Sequence, residues 1–213
     1  CFNSSVIEYF IYRIPDLEEY FILSNDDMFF NKPLTPNYFF NEEGQPIVRL
    51  KKKFFGKRHY DIKRLFRKQL GQYISRVVEG AKFVEKHFGI YYSAVPHHNP
   101  DSYKKSDFKY AIENVFYKQV EESLSSHIRQ YGDFQRSAIS YYALATGKAQ
   151  VKYVGRKESS RINVQRNDYF AYMNKYQPDQ FCLNDNQHAD DEDRKKIKPF
   201  LESLFPNKSS FEL

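Results

Sequence analysis

Apolar positions along this chain fall into two rhythms. The opening segment reads as helix through about Tyr12 and ends in a turn at Pro15. Tyr20-Phe21-Ile22-Leu23 is a short apolar run that predicts a strand, and it stops abruptly in Ser24-Asn25-Asp26-Asp27. Residues 60–88 hold the longest helical pattern, with Leu65, Phe66, Leu70, Tyr73, Ile74, Val77 and Val78 at helical spacing. Gly71 and Gly80 are its weak points, and Gly89 is the expected C-cap. Residues 90–95 read as a strand running into Pro96-His97-His98-Asn99-Pro100, which cannot be helix interior. A second helix is expected from Ser106, as N-cap, to Leu124, with a stripe of Phe108, Ala111, Ile112, Val115, Phe116 and Val120. A third runs from near Asp133 to Gly147, followed by a strand over 150–154 and a polar, basic loop over 155–168. Gln180-Phe181-Cys182-Leu183 predicts another strand, running into Asn184-Asp185-Asn186. The last helix starts at about Asp190, where four acids suit the positive end of the helix dipole; Pro199 is expected to split it and Pro206 to end it. Strands alternating with helices predict an α/β fold.

Composition narrows the class. A length of 213 residues and a hydrophobic fraction of 41% allow a real core and exclude a disordered tail. No apolar run approaches the ~20 residues that span a bilayer, and no leader pattern is visible. Cys1 and Cys182 are too few for a disulfide scaffold and fit a reducing compartment. Because the first residue is Cys1 within dense sequence, the chain reads as a piece of a longer protein. The formal net charge is +6, but residues 49–68 hold ten Lys and Arg against the single acid Asp61, so the remainder is slightly acidic. Such a stretch suits a polyanion or an anionic membrane face, and equally a solvated helix face.

The candidate chemistry lies in a doubled pattern. Two short apolar runs each end in Asn and Asp: Asn25-Asp26-Asp27 and Asn184-Asp185-Asn186. In open α/β sheets, ligands bind beyond the carboxyl ends of strands. Carboxylates and carboxamides there form an all-oxygen environment for Mg²⁺ or Mn²⁺ holding a phosphate. Zinc is not expected, since no Cys or His lies at its usual sequence spacings. Each cluster also has a second reading as a turn, because Asn and Asp bond their own backbone. His97 and His98 follow a strand too, and a histidine there can take a proton from a hydroxyl, or be a capping or surface group. Arg129, four residues before Asp133, would clamp a phosphate or form a surface ion pair.

At these residues the chain resembles the Stealth family of sugar-phosphate transferases, which includes bacterial capsule polymerases and the catalytic subunit of the lysosomal-enzyme N-acetylglucosamine phosphotransferase. Three blocks carry the resemblance, in the family's order. They are FNSSVIEYFIYRIPDLEEYFILSNDDMFF at 2–30, VPHH at 95–98 with IRQYGDFQRSAISYY at 128–142, and FCLNDN at 181–186 closing with FLESLFPNKSSFEL at 200–213.

The resemblance implies a Rossmann-like or related nucleotide-sugar transferase sheet flanked by helices, with its N-terminal part missing. Residues 1–213 would be the C-terminal portion of a Stealth-type catalytic domain, with a basic helical insertion at about 49–88. The implied reaction moves hexose 1-phosphate, with hexosamine as the expected sugar, from a UDP-sugar to an acceptor sugar hydroxyl. UMP leaves and a phosphodiester forms, in capsular or cell-surface polysaccharide synthesis. By the same resemblance His97 is the general base, Arg129 stabilises the transferring phosphoryl group and Asp133 orients Arg129 or His97. Asp26, Asp27 and Asp185 would hold Mg²⁺ or Mn²⁺, and Asn3, Asn25, Asn184, Asn186 and His98 would contact the donor. Lys51, Lys52, Lys53, Arg58 and Arg64 would hold a polyanionic polymer, with an anionic membrane surface as the alternative. Nucleic acid is not an expected partner. The composition, rich in Lys, Asn, Phe, Tyr and Ile and without Trp, points to an AT-rich bacterial genome, and the expected location is the cytoplasm, with peripheral attachment at the inner face of the membrane.

Two departures stand out. Ile128 and Gln130 flank Arg129 where many members carry a phenylalanine, and the family's first block is absent. These residues alone are therefore expected not to turn over. The competing readings are a non-catalytic polyanion-binding module and a metal-dependent phosphodiesterase.

Overall fold

The computed structural model describes residues 3–53, 56–66, 70–125, 127–128, 130 and 133–208, without the side chains of Arg58 and Arg64. In chain order the elements are α1 (Ser4–Tyr9), β1 (Tyr20–Leu23), β2 (Met28–Phe30), α2 (Pro36–Phe39), β3 (Ile47–Lys51), α3 (Arg58–Leu65), α4 (Gln72–Phe88), β4 (Val95–Pro96), β5 (Asp101–Lys104), α5 (Lys105–Tyr110), α6 (Tyr117–Leu124), α7 (Ser137–Ala145), β6 (Gln150–Tyr153), β7 (Ser159–Asn163), α8 (Tyr169–Tyr176), β8 (Gln180–Asn184), α9 (Asp191–Lys195) and α10 (Ile197–Leu204). A 3-10 turn, Ile11–Arg13, follows α1, and a π-helical segment, Ala111–Val115, joins α5 to α6. The fold is mixed α/β, with helix-flanked sheets consistent with a nucleotide-sugar transferase-like architecture. The chain divides into two units. The first is Cys1–Leu23, Pro36–Pro96 and Asp101–Tyr153; the second is Ser24–Thr35, His97–Pro100 and Val154–Leu213.

In the first unit β1 pairs antiparallel with β5, and β3 lies between antiparallel β4 and parallel β6. With no Trp in the chain, Tyr and Phe fill its core. Tyr9 stacks on Phe134 at 4.7 Å between ring centroids, and Phe116 stacks on Phe134 at 4.8 Å. Buried phenols need partners, and Tyr9 donates to the Phe134 carbonyl while Tyr141 donates to the Ala94 carbonyl.

Tertiary contacts redraw several expected boundaries. The pattern over 60–88 is two helices rather than one, with Gly71 at the N-cap of α4. Gly89, at φ 76°, caps its end by donating to the Glu85 carbonyl, as expected. Residues 49–51 of the expected helical insertion belong to β3, whereas α4 buries Val77, Val78, Ala81 and Val84 in the core. Of the expected 90–95 strand only Val95 joins a ladder, opposite Lys51 of β3, and Tyr92 stacks its ring on Tyr141 at 5.4 Å. The expected second helix starts at Lys105, so Ser106 is no N-cap; its hydroxyl donates to Glu19 instead. The π turn, closed by Phe116 N–H donating to Ala111 O at 2.8 Å, lets one stripe bury Phe108, Ile112, Phe116 and Val120. The third helix begins at Ser137, four residues after Asp133.

The second unit is built on the order β2-β8-β7, in which β8 pairs antiparallel with β2 and parallel with β7. Residues 159–163 are thus a strand rather than loop. Strand alternation gives the sheet two characters. Phe29, Phe181, Leu183 and Ile162 face a core with Tyr169, Tyr172, Met173 and Phe200 from α8 and α10. Gln180, Cys182 and Asn184 face the other way, in register with Ser159, Arg161 and Asn163. The last helix breaks at Lys196, and Pro199 sits in the first turn of α10, where its missing N–H removes no helical bond. Asp190 and Asp193 form a capping box at the start of α9.

Gly80 lies where α4 meets α7: a Cβ there would stand 2.8 Å from the Ala138 Cβ. Gly80→Ala is expected to lower unfolding free energy by about 1–3 kcal/mol in urea denaturation despite its better helix propensity. Adding Ala138→Gly should recover part of the loss; no loss in the single variant would contradict the close packing.

Candidate functional site

The second unit gathers chemistry on the polar face of its sheet. The segment His97–Pro100 lies against that face, and His97 and Asn99 are buried. His97 Nδ1 is 2.8 Å from Ser159 Oγ and 3.5 Å from Gln180 Nε2. Asn99 donates from Nδ2 to Ser159 Oγ at 2.7 Å and to the Ser160 carbonyl at 3.2 Å. Ser159 is therefore the hub of a buried polar network, and a hydroxyl, which can both accept and donate, suits that post. The Ser159 hydroxyl, which accepts from Asn99, can donate to His97 Nδ1 or accept from it, and only acceptance leaves Nε2 as the basic nitrogen that a general base there needs.

The turn before β2 is closed by Met28 N–H donating to the Asn25 carbonyl at 3.3 Å. Asn25 and Asp26 are exposed there, and Asp27 is half-buried. Because β2 runs against β8, this turn lies at the carboxyl end of β8, where Leu183 N–H donates to the Asp27 carbonyl at 2.9 Å. Asp27 Oδ2 accepts from the Cys182 thiol at 3.0 Å, while Oδ1 is buried and has no partner among the described residues. His98, at φ 61° in the left-handed region, brings its ring to the same place. Ligand atoms of Asp27, His98 and Cys182 lie within 4.8 Å of one another.

At the second strand end Asn184 accepts from Arg161 and donates to Asn163 Oδ1 at 3.4 Å. Asn186 bonds Gln165 and accepts at Oδ1 from the His188 backbone at 2.9 Å. Asp185 is exposed and accepts from Arg194 Nε at 2.9 Å and Nη2 at 3.3 Å. That guanidinium holds its carboxyl below the usual carboxylate range.

The remaining expected residues belong to the first unit. Asn3 and Asp133 meet, with Asn3 Nδ2 donating to Asp133 Oδ2 at 3.1 Å. Asn3 also caps α1 by accepting from Ser5 N–H, and Asp133 accepts from Gln130 N–H at 2.8 Å, so both have architectural duties. Arg129 lies outside the described residues, as do the side chains of Arg58 and Arg64. Within the basic stretch, Arg49 is buried over the Tyr38 ring and Lys57 is paired with Glu85. Lys52 lies 4.4 Å from the Tyr153 ring centroid. Burial, and then the charge of Lys63, hold Lys53 below the usual ammonium value. No described helix is long and apolar enough to cross a membrane.

Ser159, Asn99 and Gln180 were not among the expected site residues. Ser159 hides in a polar segment whose only aliphatic strand residue is Ile162, so nothing in its periodicity announces a buried strand. Cys182 was visible within FCLNDN, but its neighbours come from remote segments.

The Asp185–Arg194 pair makes a testable statement. A depressed folded-state pKa contributes stability above the unfolded pKa and loses it as pH falls through the folded one. Arg194→Ala should move the Asp185 titration upward in a carboxyl-resolved NMR experiment, with little effect on stability because the pair is exposed. An unmoved titration would refute the pairing.

Residues 1–48 match Stealth protein CR2, conserved region 2, and residues 173–213 match Stealth protein CR4, conserved region 4. The chain is similar to the capsular polysaccharide phosphotransferase SacB of Neisseria meningitidis serogroup A, 26% identical over 226 residues that cover 99% of this chain and 39% of that protein. It is 27% identical to a capsular polysaccharide phosphotransferase of Neisseria meningitidis serogroup B, over 96% of this chain and 56% of that protein. It is 28% identical to the exopolysaccharide phosphotransferase CpsY of Mycobacterium leprae, over 96% of this chain and 38% of that protein. The chain thus spans about two fifths to just over half the length of these relatives. Region 2 contains the Asp27 turn and region 4 contains β8, so the two matched Stealth regions carry both strand-end Asn-Asp clusters, and similarity to capsular polysaccharide phosphotransferases runs through the chain between them.

Proposed function

We propose that this chain is part of an enzyme that transfers hexose 1-phosphate, with a hexosamine as the sugar, from a UDP-sugar to a hydroxyl of a growing capsular or cell-surface polysaccharide, releasing UMP. The observation that carries this reading is the similarity, over nearly the whole chain, to phosphotransferases of capsular polysaccharide. The buried His97–Ser159–Asn99 network supports it from the side of chemistry.

A sugar hydroxyl is a poor nucleophile until its proton is taken. His97, oriented through Nδ1 by Ser159, would accept that proton at Nε2 while the hydroxyl oxygen attacks phosphorus. The bond from phosphorus to the UMP oxygen breaks, and the phosphodiester keeps the sugar attached. Arg129 would stabilise the transferring phosphoryl oxygens. Asn184 and Asn186, at the carboxyl end of β8, would contact the donor, with Asn25 and His98 from the neighbouring segments.

The resemblance implies a divalent cation, and Oδ1 of Asp27, which has no partner among the described residues, is an oxygen suited to one. Asp27 would be its principal holder, joined by exposed Asp26 and by Asp185 once released from Arg194. When bound, Mg²⁺ or Mn²⁺ would neutralise charge on the diphosphate. A cytoplasmic enzyme working at the inner face of the membrane would fit a nucleotide-sugar donor. Lys51 and Lys52, with Lys53, Arg58 and Arg64, would hold the polyanionic product or the anionic membrane surface.

The test is UMP release from UDP-sugars in the full-length protein with Mg²⁺ or Mn²⁺. His97→Ala should lower the rate about 10²–10⁴-fold, and Asp27→Ala should abolish it, with circular dichroism unchanged in both. Unaltered rates in these folded variants would overturn the reading. Charge reversal at Lys51 and Lys52 should weaken long acceptors more than short ones, and raised salt should narrow the gap between variant and parent. Equal loss on short and long acceptors would remove the polymer-holding role.

A further inference from the structure

The donors gathered at Asp27 differ from an all-oxygen set. Within the second unit, Asp27 offers a carboxylate oxygen, His98 an imidazole nitrogen and Cys182 a sulfur, all within 4.8 Å of one another. Cys182 is wholly buried in the central strand, so its sulfur is held in place by the sheet. Its thiol already points at Asp27 Oδ2, at 3.0 Å. The second oxygen, Oδ1, is buried and has no partner among the described residues, an arrangement that costs free energy unless something binds it. The three residues come from the turn before β2, the segment before β5 and the middle of β8, which is why no sequence spacing reveals them.

Donor chemistry decides the ion. Mg²⁺ and Ca²⁺ take oxygen ligands, whereas thiolate and imidazole together select zinc and its neighbours. We infer that Asp27, His98 and Cys182 form a three-donor site for a borderline divalent cation of the zinc class. Binding converts the Cys182 thiol to a thiolate, its proton passing to solvent and a metal–sulfur bond replacing the S–H···O hydrogen bond. Three protein donors leave a tetrahedral ion one position for water or another oxygen ligand. Asp27 is also the principal carboxylate proposed above for the hard cation, so zinc held here would compete with Mg²⁺ or Mn²⁺. The zinc-class site itself does not depend on the transfer reaction.

Cobalt(II) titration of the full-length protein tests the site without reference to activity. The parent should bind Co²⁺ with a thiolate-to-cobalt charge-transfer absorption that Zn²⁺ abolishes by displacement. Cys1→Ser should keep this band and Cys182→Ser should lose it, with circular dichroism confirming the fold. His98→Ala, a change at a half-buried position that leaves the sheet intact, should weaken Co²⁺ by more than about tenfold, a loss that even a residue supporting a ligand can bring. Absence of the band in the parent, its persistence in Cys182→Ser, or unchanged affinity in His98→Ala would each overturn the site. If Cys182→Ser does not fold, X-ray absorption at the cobalt edge of the loaded parent decides the matter: a sulfur ligand supports the site, and oxygen and nitrogen ligands alone refute it.

Discussion

The hydrogen bond between His97 Nδ1 and Ser159 Oγ is the contact on which the candidate chemistry rests. Both residues are buried, so each would be costly to leave without a partner. Asn99 and Gln180 surround the pair. Holding them there requires β7 and β8 to lie side by side in parallel register, Ser159 beside Gln180. That register in turn requires the opposite face, with Ile162, Phe181 and Leu183, to find its apolar cover in α8 and α10. Sliding one strand by a residue would exchange the two faces and end both arrangements. The hydrophobic core of this unit and its polar centre are thus two consequences of one strand pairing.

The same sheet explains why acidic turns occur where they do. Asp27 precedes a strand antiparallel to β8, whereas Asp185 follows β8, so chain direction brings both to one end of that strand. Their surroundings then differ. Asp27 is half-buried against a thiol and a histidine, while Asp185 is exposed on a guanidinium. Similar sequence clusters therefore meet unequal surroundings, and burial is what separates them.

Long, strongly apolar elements were legible in the chain. The stripe through Phe108, Ile112, Phe116 and Val120 is buried as its spacing implies, and the C-cap at Gly89 needed only local geometry. Tyr20–Leu23 and Gln180–Leu183 form strands where their apolar runs lie. Elements whose stability comes from distant partners were not legible. Ser159–Asn163 has little apolar content, and β3 is set by neighbours far along the chain. Residues 90–94 were read as strand, yet no ladder partner reaches them. For the candidate site, His97 and the Asn-Asp turns were visible as residues, and the motif order carried the resemblance to the Stealth family. Ser159, Asn99 and Gln180 were not, since polar residues inside a unit look like loop residues until their partners are seen.

By itself the sequence determined what is local or compositional: an aromatic core without Trp, a basic stretch at 49–68, helix caps, and motif blocks that match two Stealth regions. Tertiary structure alone decided which of the chemically able groups meet. It buried Arg49 out of the basic stretch, gave Asn3 and Asp133 to each other, and set Asp27, His98 and Cys182 around one point. The reason is physical. Helix periodicity and capping act over a few residues of chain, whereas burial and ligand geometry depend on strand register between segments as far apart as residues 27 and 182.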